Sequence, residues 1–211
     1  MKVNQKSSNI NTQSNKNEEI EVKIRVVDSI SEKITAWMKK NAEFKYRITQ
    51  EEYYLNNPNS SWFRTHQSGY RYALQYLRVR FTKNGDSVCF KNWETSDKQG
   101  EAGLFCKDIE YKVNCGKQAL ALFKSLGFTD TTKFYKLRET YVYQDIEISI
   151  DTVEGLGCFI EFEIKVRQHE DQNYEYNRLI SFIENDLAIS DYKIQKQGFI
   201  ILLWNPNFEF K

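Results

Sequence analysis

Histidine is nearly absent from this 211-residue chain, which carries only His66 and His169. With so little imidazole, a histidine-centred catalytic triad is not expected. The zinc inventory is equally poor, because the four cysteines, Cys89, Cys106, Cys115 and Cys158, include no C-x-x-C pair. They read as buried or idle thiols in a reducing compartment, where free cysteine behaves as a small hydrophobe. Proline occurs twice, against an aromatic content of 15%, which points to a β-rich domain whose strands pack through Tyr and Phe. Long apolar runs are missing as well. The longest, residues 199–204, is too short to span a bilayer, and the first residues hold no hydrophobic signal core, so a cytoplasmic protein with no membrane partner is expected. Nor does either sign of charge dominate: 30 Lys and Arg against 29 Asp and Glu leave +1. No global field draws the chain to nucleic acid, and any anion site has to come from local clustering.

What the chain does have is alternation. In Glu19-Ile20-Glu21-Val22-Lys23-Ile24-Arg25-Val26 every second residue is charged and the rest are β-branched and apolar, a strand pattern that puts Glu19, Glu21, Lys23 and Arg25 on one face. The pattern returns with Arg78 and Arg80 in residues 77–81, Glu110 and Lys112 in 109–113, and Lys136 and Arg138 in 133–143. It continues with Glu147, Ser149 and Asp151 in 146–151 and with Glu161, Glu163 and Lys165 in 159–166. Asn84-Gly85 is a hairpin signal that returns the chain and delivers Lys91.

Around these strands, residues 1–17 are too polar to offset the entropy of ordering and read as a disordered lead to a single domain over 18–211. Helices are expected over 30–41, opened by a capping box from Ser29 to Glu32, over 117–126, stopped by Gly127, and over 174–187. Trp37, Phe123 and Leu126 fall at core-facing helical positions. A polar loop is expected over 92–103, and 192–204 reads as a closing segment of strand. Tyr141, Tyr143, Trp62 and Trp93 are read mainly as packing residues, with base stacking as the alternative.

Charged faces scattered over solvent would form ordinary surface ion pairs, worth roughly 0 to 1 kcal/mol each. The apolar faces, however, are suited to be covered from outside by the helices, which turns the charges inward, and closing the sheet then yields a barrel with a polar lumen. Charges buried there cost several kcal/mol each unless paired or coordinated. Such a lumen asks for a ligand: guanidinium and ammonium groups suit phosphate oxygens, and grouped carboxylates suit magnesium or manganese.

These motifs, in this order, resemble the CYTH, or triphosphate tunnel metalloenzyme, superfamily, which includes class IV adenylyl cyclases and thiamine triphosphatases. Its E-x-E-x-K signature stands as Glu19-Ile20-Glu21-Val22-Lys23, its R-x-R as Arg78-Val79-Arg80, its following lysine as Lys91, its middle glutamate as Glu110 and its K-x-R as Lys136-Leu137-Arg138. The late acidic segment runs from Asp151 to Glu161 and Glu163, and the match spans Glu19 to about Glu163. The resemblance implies an α+β fold: a closed eight-stranded antiparallel tunnel with helices outside. Lys23, Arg78, Arg80, Lys91, Lys136 and Arg138 would hold a triphosphate, and Glu19, Glu21, Asp151, Glu161 and Glu163 would hold Mg or Mn. Glu19, Glu21, Lys23, Lys91 and Lys136 are the candidate catalytic residues. The partner expected is a nucleoside triphosphate or another triphosphate, with a homodimer admitted. Gly155-Leu156-Gly157, and the helix with a terminal strand after it, lean toward the cyclase branch. A triphosphatase is the alternative, and a triphosphate-sensing module that turns nothing over is a third.

Overall fold

A computed structural model describes residues 18–59, 62–93, 106–166 and 171–210; at 18, 19, 93, 106–108 and 166 the description covers the backbone alone. The lead at 1–17 and most of the expected loop at 92–103 lie outside the described residues.

The alternating stretches all form strands. In chain order these are β1 (Glu18–Val26), β2 (Glu43–Asn56), β3 (Phe63–Thr65), β4 (Arg71–Ala73), β5 (Gln75–Thr82), β6 (Asp86–Trp93), β7 (Cys106–Val113), β8 (Thr129–Tyr143), β9 (Ile146–Val153), β10 (Gly157–Val166) and β11 (Lys193–Ile194). Nine of them make one sheet in the order β11-β1-β10-β9-β8-β2-β5-β6-β7, and β3 with β4 forms a separate hairpin. The strands of this sheet pair antiparallel throughout.

The expected closed eight-stranded tunnel is therefore corrected to a nine-stranded sheet that is not closed: among the described residues its terminal strands, β11 and β7, are not hydrogen-bonded to each other. The extra strand is a two-residue edge that meets β1 only at Ile24 and Arg25. The sheet is nevertheless strongly curled. Lys23 on β1 and Lys136 on β8, three strands apart, each lie 5.1 Å from the centre of the Phe199 ring, so they cannot be further apart than twice that distance. Three strand spacings set their backbones roughly 14 Å apart, so both ammonium groups lean inward toward the one ring.

The convex side carries the main core. Val22, Ile24 and Val26 of β1 join Ile148, Ile150, Ile160, Phe162 and Ile164 under two helical elements. One is α1 (Asp28–Asn41), which buries Ile34 and Met38. The other is α3 (Gln172–Ser181), which runs on as a π-turn at Phe182–Asp186 and supplies Leu179, Phe182 and Ile183. A smaller cluster under α2 (Gly116–Ser125) joins Leu77 and Val79 to Leu120 and Phe123. No helix among the described residues is long and apolar enough to cross a membrane.

Three local expectations are corrected. The capping box at Ser29 and Glu32 does not form, because α1 begins at Asp28 behind Val27, one residue after β1 ends, and Val27 has no side chain able to cap. Leu126 is 61% exposed. It stands at the C-cap of α2, where Gly127, at φ +89°, turns the chain away. The segment 192–204 is not a strand beyond Lys193–Ile194; it closes with α4 (Phe199–Trp204). Phe199, Ile200, Ile201 and Leu202 are all buried, whereas successive side chains of a strand point to opposite faces. A helical turn satisfies its own backbone while surrounded by apolar side chains.

Candidate active site

The register decides which charges meet. Lys23 lies directly across from Glu161, Arg138 from Asp151, and Arg80 from Glu52, and directly opposed residues share a face. Lys23 Nζ sits 3.0 Å from Glu21 and 3.2 Å from Glu161. Arg138 donates to Glu161 and, at 2.7 and 2.5 Å, to both oxygens of Asp151. Asp151 also accepts from Lys136 at 3.0 Å, and Lys136 in turn lies 4.0 Å from Glu52. Glu52 accepts from Arg80 at 3.0 Å and from the Tyr54 hydroxyl at 2.7 Å, with Arg78 at 3.8 Å. Beyond them Glu110 takes Arg78 at 3.5 Å and the Ser87 hydroxyl at 2.7 Å. Acids and bases thus alternate across the concave face from β1 to β7.

The central pairs of this network are not surface bridges. Glu52 and Asp151 are at most 1% exposed, and Lys136 and Arg78 are buried. Burial works against the charge on Glu52, but Arg78, Arg80 and Lys136 outweigh it and hold the carboxyl well below the usual range. For Glu161, burial is likewise overridden, by Arg138 and Lys23. Lys23 is raised because Glu21 and Glu161 outweigh its burial. Lys136 goes the other way: burial and the neighbouring Arg138 lower it in spite of Asp151. Among the described residues, two buried polar atoms on this face lack a hydrogen-bond partner, Arg78 Nε and Gln50 Oε1.

One end of the face is covered. Phe199 and its helix pack on Tyr54, Tyr76, Phe134, Val153 and Phe159, whose alternating neighbours along the same strands are the charged residues. The β3–β4 hairpin joins this cover, since Asn205 takes the Arg71 amide at 2.8 Å and returns a bond to the Arg71 carbonyl at 2.7 Å.

Of the residues singled out from sequence, Glu21, Lys23, Arg78, Arg80, Glu110, Lys136, Arg138, Asp151 and Glu161 meet in this network. Lys91 shares the face on β6, across from Tyr76. Glu163 lies directly across from Glu21 on one side and Glu147 on the other. Glu19 pairs with Lys165, and only its backbone is described. Base stacking by Tyr141, Tyr143 or Trp62 is not supported, because all three pack on the convex side, against Phe44, against Trp37 and Phe182, and against Phe90 and Phe128. The Trp93 side chain lies outside the described residues. Gln50 and Glu52 are residues of this face that the strand pattern does not single out. The run Gln50-Glu51-Glu52 is polar throughout and shows no alternation, so the register that places Gln50 and Glu52 on the charged face is not written locally.

Among the described residues, no group of three or more His, Cys, Asp or Glu side chains gathers closely enough to hold a metal unaided. Magnesium, however, is commonly held by one or two carboxylates together with substrate phosphates. The opposed Glu21 and Glu163 are hard oxygen donors, and neither is fully buried. They fit that role.

A curled antiparallel sheet carrying this charge order defines a class, and the comparisons agree. The CYTH domain model matches residues 17–183. The chain belongs to the CYTH family. A Methanocaldococcus jannaschii protein described as a candidate adenylate cyclase is 27% identical over 185 residues, covering 87% of this chain and 97% of that protein. Among solved structures, a Pyrococcus horikoshii protein superposes with a TM-score of 0.69 at 24% identity, covering 90% of this chain and all of its own. A candidate adenylate cyclase from Vibrio parahaemolyticus gives 0.64 at 17% identity, covering 86% of this chain and 96% of that one. At these identities the structural likenesses establish the fold.

Proposed function

We propose that the concave face grips the triphosphate of a nucleotide with a divalent metal, and that the chain is a class IV-like adenylyl cyclase converting ATP to cyclic AMP and pyrophosphate. The observation that carries this is Arg78 Nε, a buried cationic donor without an acceptor among the described residues, set among Lys23, Arg80, Lys136 and Arg138. A buried donor left unpaired costs about 1–3 kcal/mol, and a phosphate oxygen would supply its acceptor. Phosphate oxygens would also take over the cations now held by Asp151, Glu161 and Glu52, with Lys91 extending the grip along β6.

Magnesium or manganese would be held by Glu21 and Glu163, with Glu19 on the same strand face, and by Asp151 and Glu161 once their cations turn to phosphate. Bound there, the ion would supply Lewis-acid stabilisation of charge on the reacting phosphate. The chain's own contribution is positioning: fixed guanidinium and ammonium groups orient the α-phosphorus toward the ribose 3'-hydroxyl and receive the charge of the departing pyrophosphate. The cover formed by α4 and the β3–β4 hairpin excludes water from one end.

A triphosphatase needs the same grip, with water as nucleophile. Product analysis separates them: ATP with manganese should yield cyclic AMP and pyrophosphate, run beside tripolyphosphate and thiamine triphosphate. Orthophosphate from tripolyphosphate, with no cyclic product from any nucleotide, would favour the hydrolase; binding without turnover would favour a sensor. Activity that persists after exhaustive chelation would remove the metal from the scheme.

A further inference from the structure

From the unpaired carbonyl oxygen of Gln50, we infer that this residue recognises a hydroxyl of the nucleoside sugar and so separates nucleotides from bare polyphosphates. The inference rests on the triphosphate reading above and adds to it the part of the substrate that is not phosphate. Gln50 is 6% exposed, and its Oε1 has no donor among the described residues. It stands on β2 between Ile48 and Glu52 on the concave face, directly across from Lys136 on β8 and Thr82 on β5.

The cations around it are committed elsewhere. Lys136 donates to Asp151 and Arg80 to Glu52, and neither of these donors reaches Oε1. An acceptor shut away from solvent and left unpaired is disfavoured, and native proteins keep few of them. Its complement has to bring a hydrogen. A triphosphate chain, ionised as it is at neutral pH, offers acceptors only. A ribose hydroxyl offers a donor. Phosphate can therefore satisfy Arg78 Nε but not Gln50 Oε1, and the two orphaned atoms of this face divide between them the two halves of a nucleotide.

A water bound to the metal and the exocyclic amine of adenine are further sources of such a donor, and the test distinguishes both, since an amine contact would leave ATP and the two deoxynucleotides bound equally. Affinities for ATP, 2'-deoxy-ATP, 3'-deoxy-ATP and tripolyphosphate are measured calorimetrically with magnesium present, in the unmodified protein and in Gln50→Met, which keeps the length of the side chain and removes the acceptor. In the unmodified protein one deoxynucleotide should bind about threefold to tenfold more weakly than ATP, the range of a single neutral hydrogen bond. Gln50→Met should weaken ATP by the same factor, erase the ATP-to-deoxynucleotide difference, and leave magnesium tripolyphosphate unchanged. Equal weakening of ATP and magnesium tripolyphosphate would overturn the inference in favour of metal-bound water. Equal binding of ATP and both deoxynucleotides by the unmodified protein would overturn it without any variant, should Gln50→Met fail to fold. If the unmodified protein binds neither ATP nor tripolyphosphate, the triphosphate reading itself is refuted and this inference goes with it.

Discussion

Replacing Asp151 by Asn tests whether the concave face is a buried ion network or a solvated one. Asp151 is fully buried and accepts from Lys136 at 3.0 Å and from Arg138 at 2.7 and 2.5 Å. Asparagine preserves the volume, removes the charge and turns an amide donor toward groups that can only donate. Removing one partner of a buried pair costs roughly 3–5 kcal/mol, because the remaining charge is left uncompensated. Here both cations keep a second acid, Lys136 retaining Glu52 at 4.0 Å and Arg138 retaining Glu161. The lower end applies, about 3 kcal/mol. For a chain of this size each kcal/mol lowers the melting temperature by about 2–4 °C, so a fall of roughly 6–12 °C is expected by calorimetry. Tripolyphosphate should raise the melting temperature of the variant more than that of the parent, since a phosphate can stand in for the missing carboxylate. A variant melting within about 1 °C of the parent would show these pairs to be worth no more than surface bridges, and the reasoning would fail.

Acid should weaken the fold through Glu52 and Glu161, whose carboxyls are held below the ordinary range by their cations. Below about pH 4.3 the unfolded chain takes up protons that the folded one refuses, so this stability is complete above that pH and is lost as pH falls toward the folded values. Glu52→Gln should flatten the acid limb of a urea-midpoint profile, and an unchanged limb would contradict the assignment. Phe199→Ala removes the ring beside Lys23 and Lys136, 93% buried by its 7% exposure, and should cost about 3 kcal/mol in urea titrations; no loss would mean that α4 does not seat on this face. Arg80→Ala should lower turnover by about a hundredfold or more, by analogy with deleting one preorganised donor. Initial rates equal to the parent's would exclude Arg80 from the grip.

Alternation alone determined much of this protein. A charged residue at every second position makes a strand and puts the charges of each strand, Lys23, Arg78, Lys136 and Glu161 among them, on one face of that strand, because the side-chain period of a strand is two whatever the strand packs against. The motif order from Glu19 to Glu163 was likewise legible, and the family it resembles is the one to which the chain belongs. Pairing was not legible. That Arg138 meets Asp151, and Glu52 both Arg80 and Tyr54, depends on register between strands distant in sequence. Glu52 and Gln50 consequently gained their place only once β2 lay between β5 and β8. The number of strands and the open order β11 to β7 were decided by which edges find partners, a property of the assembled sheet. The turn from expected strand to α4 has the same origin: consecutive apolar residues leave the local choice open, and the apolar end of the curled face, reachable by a helix that needs no sheet edge, settled it.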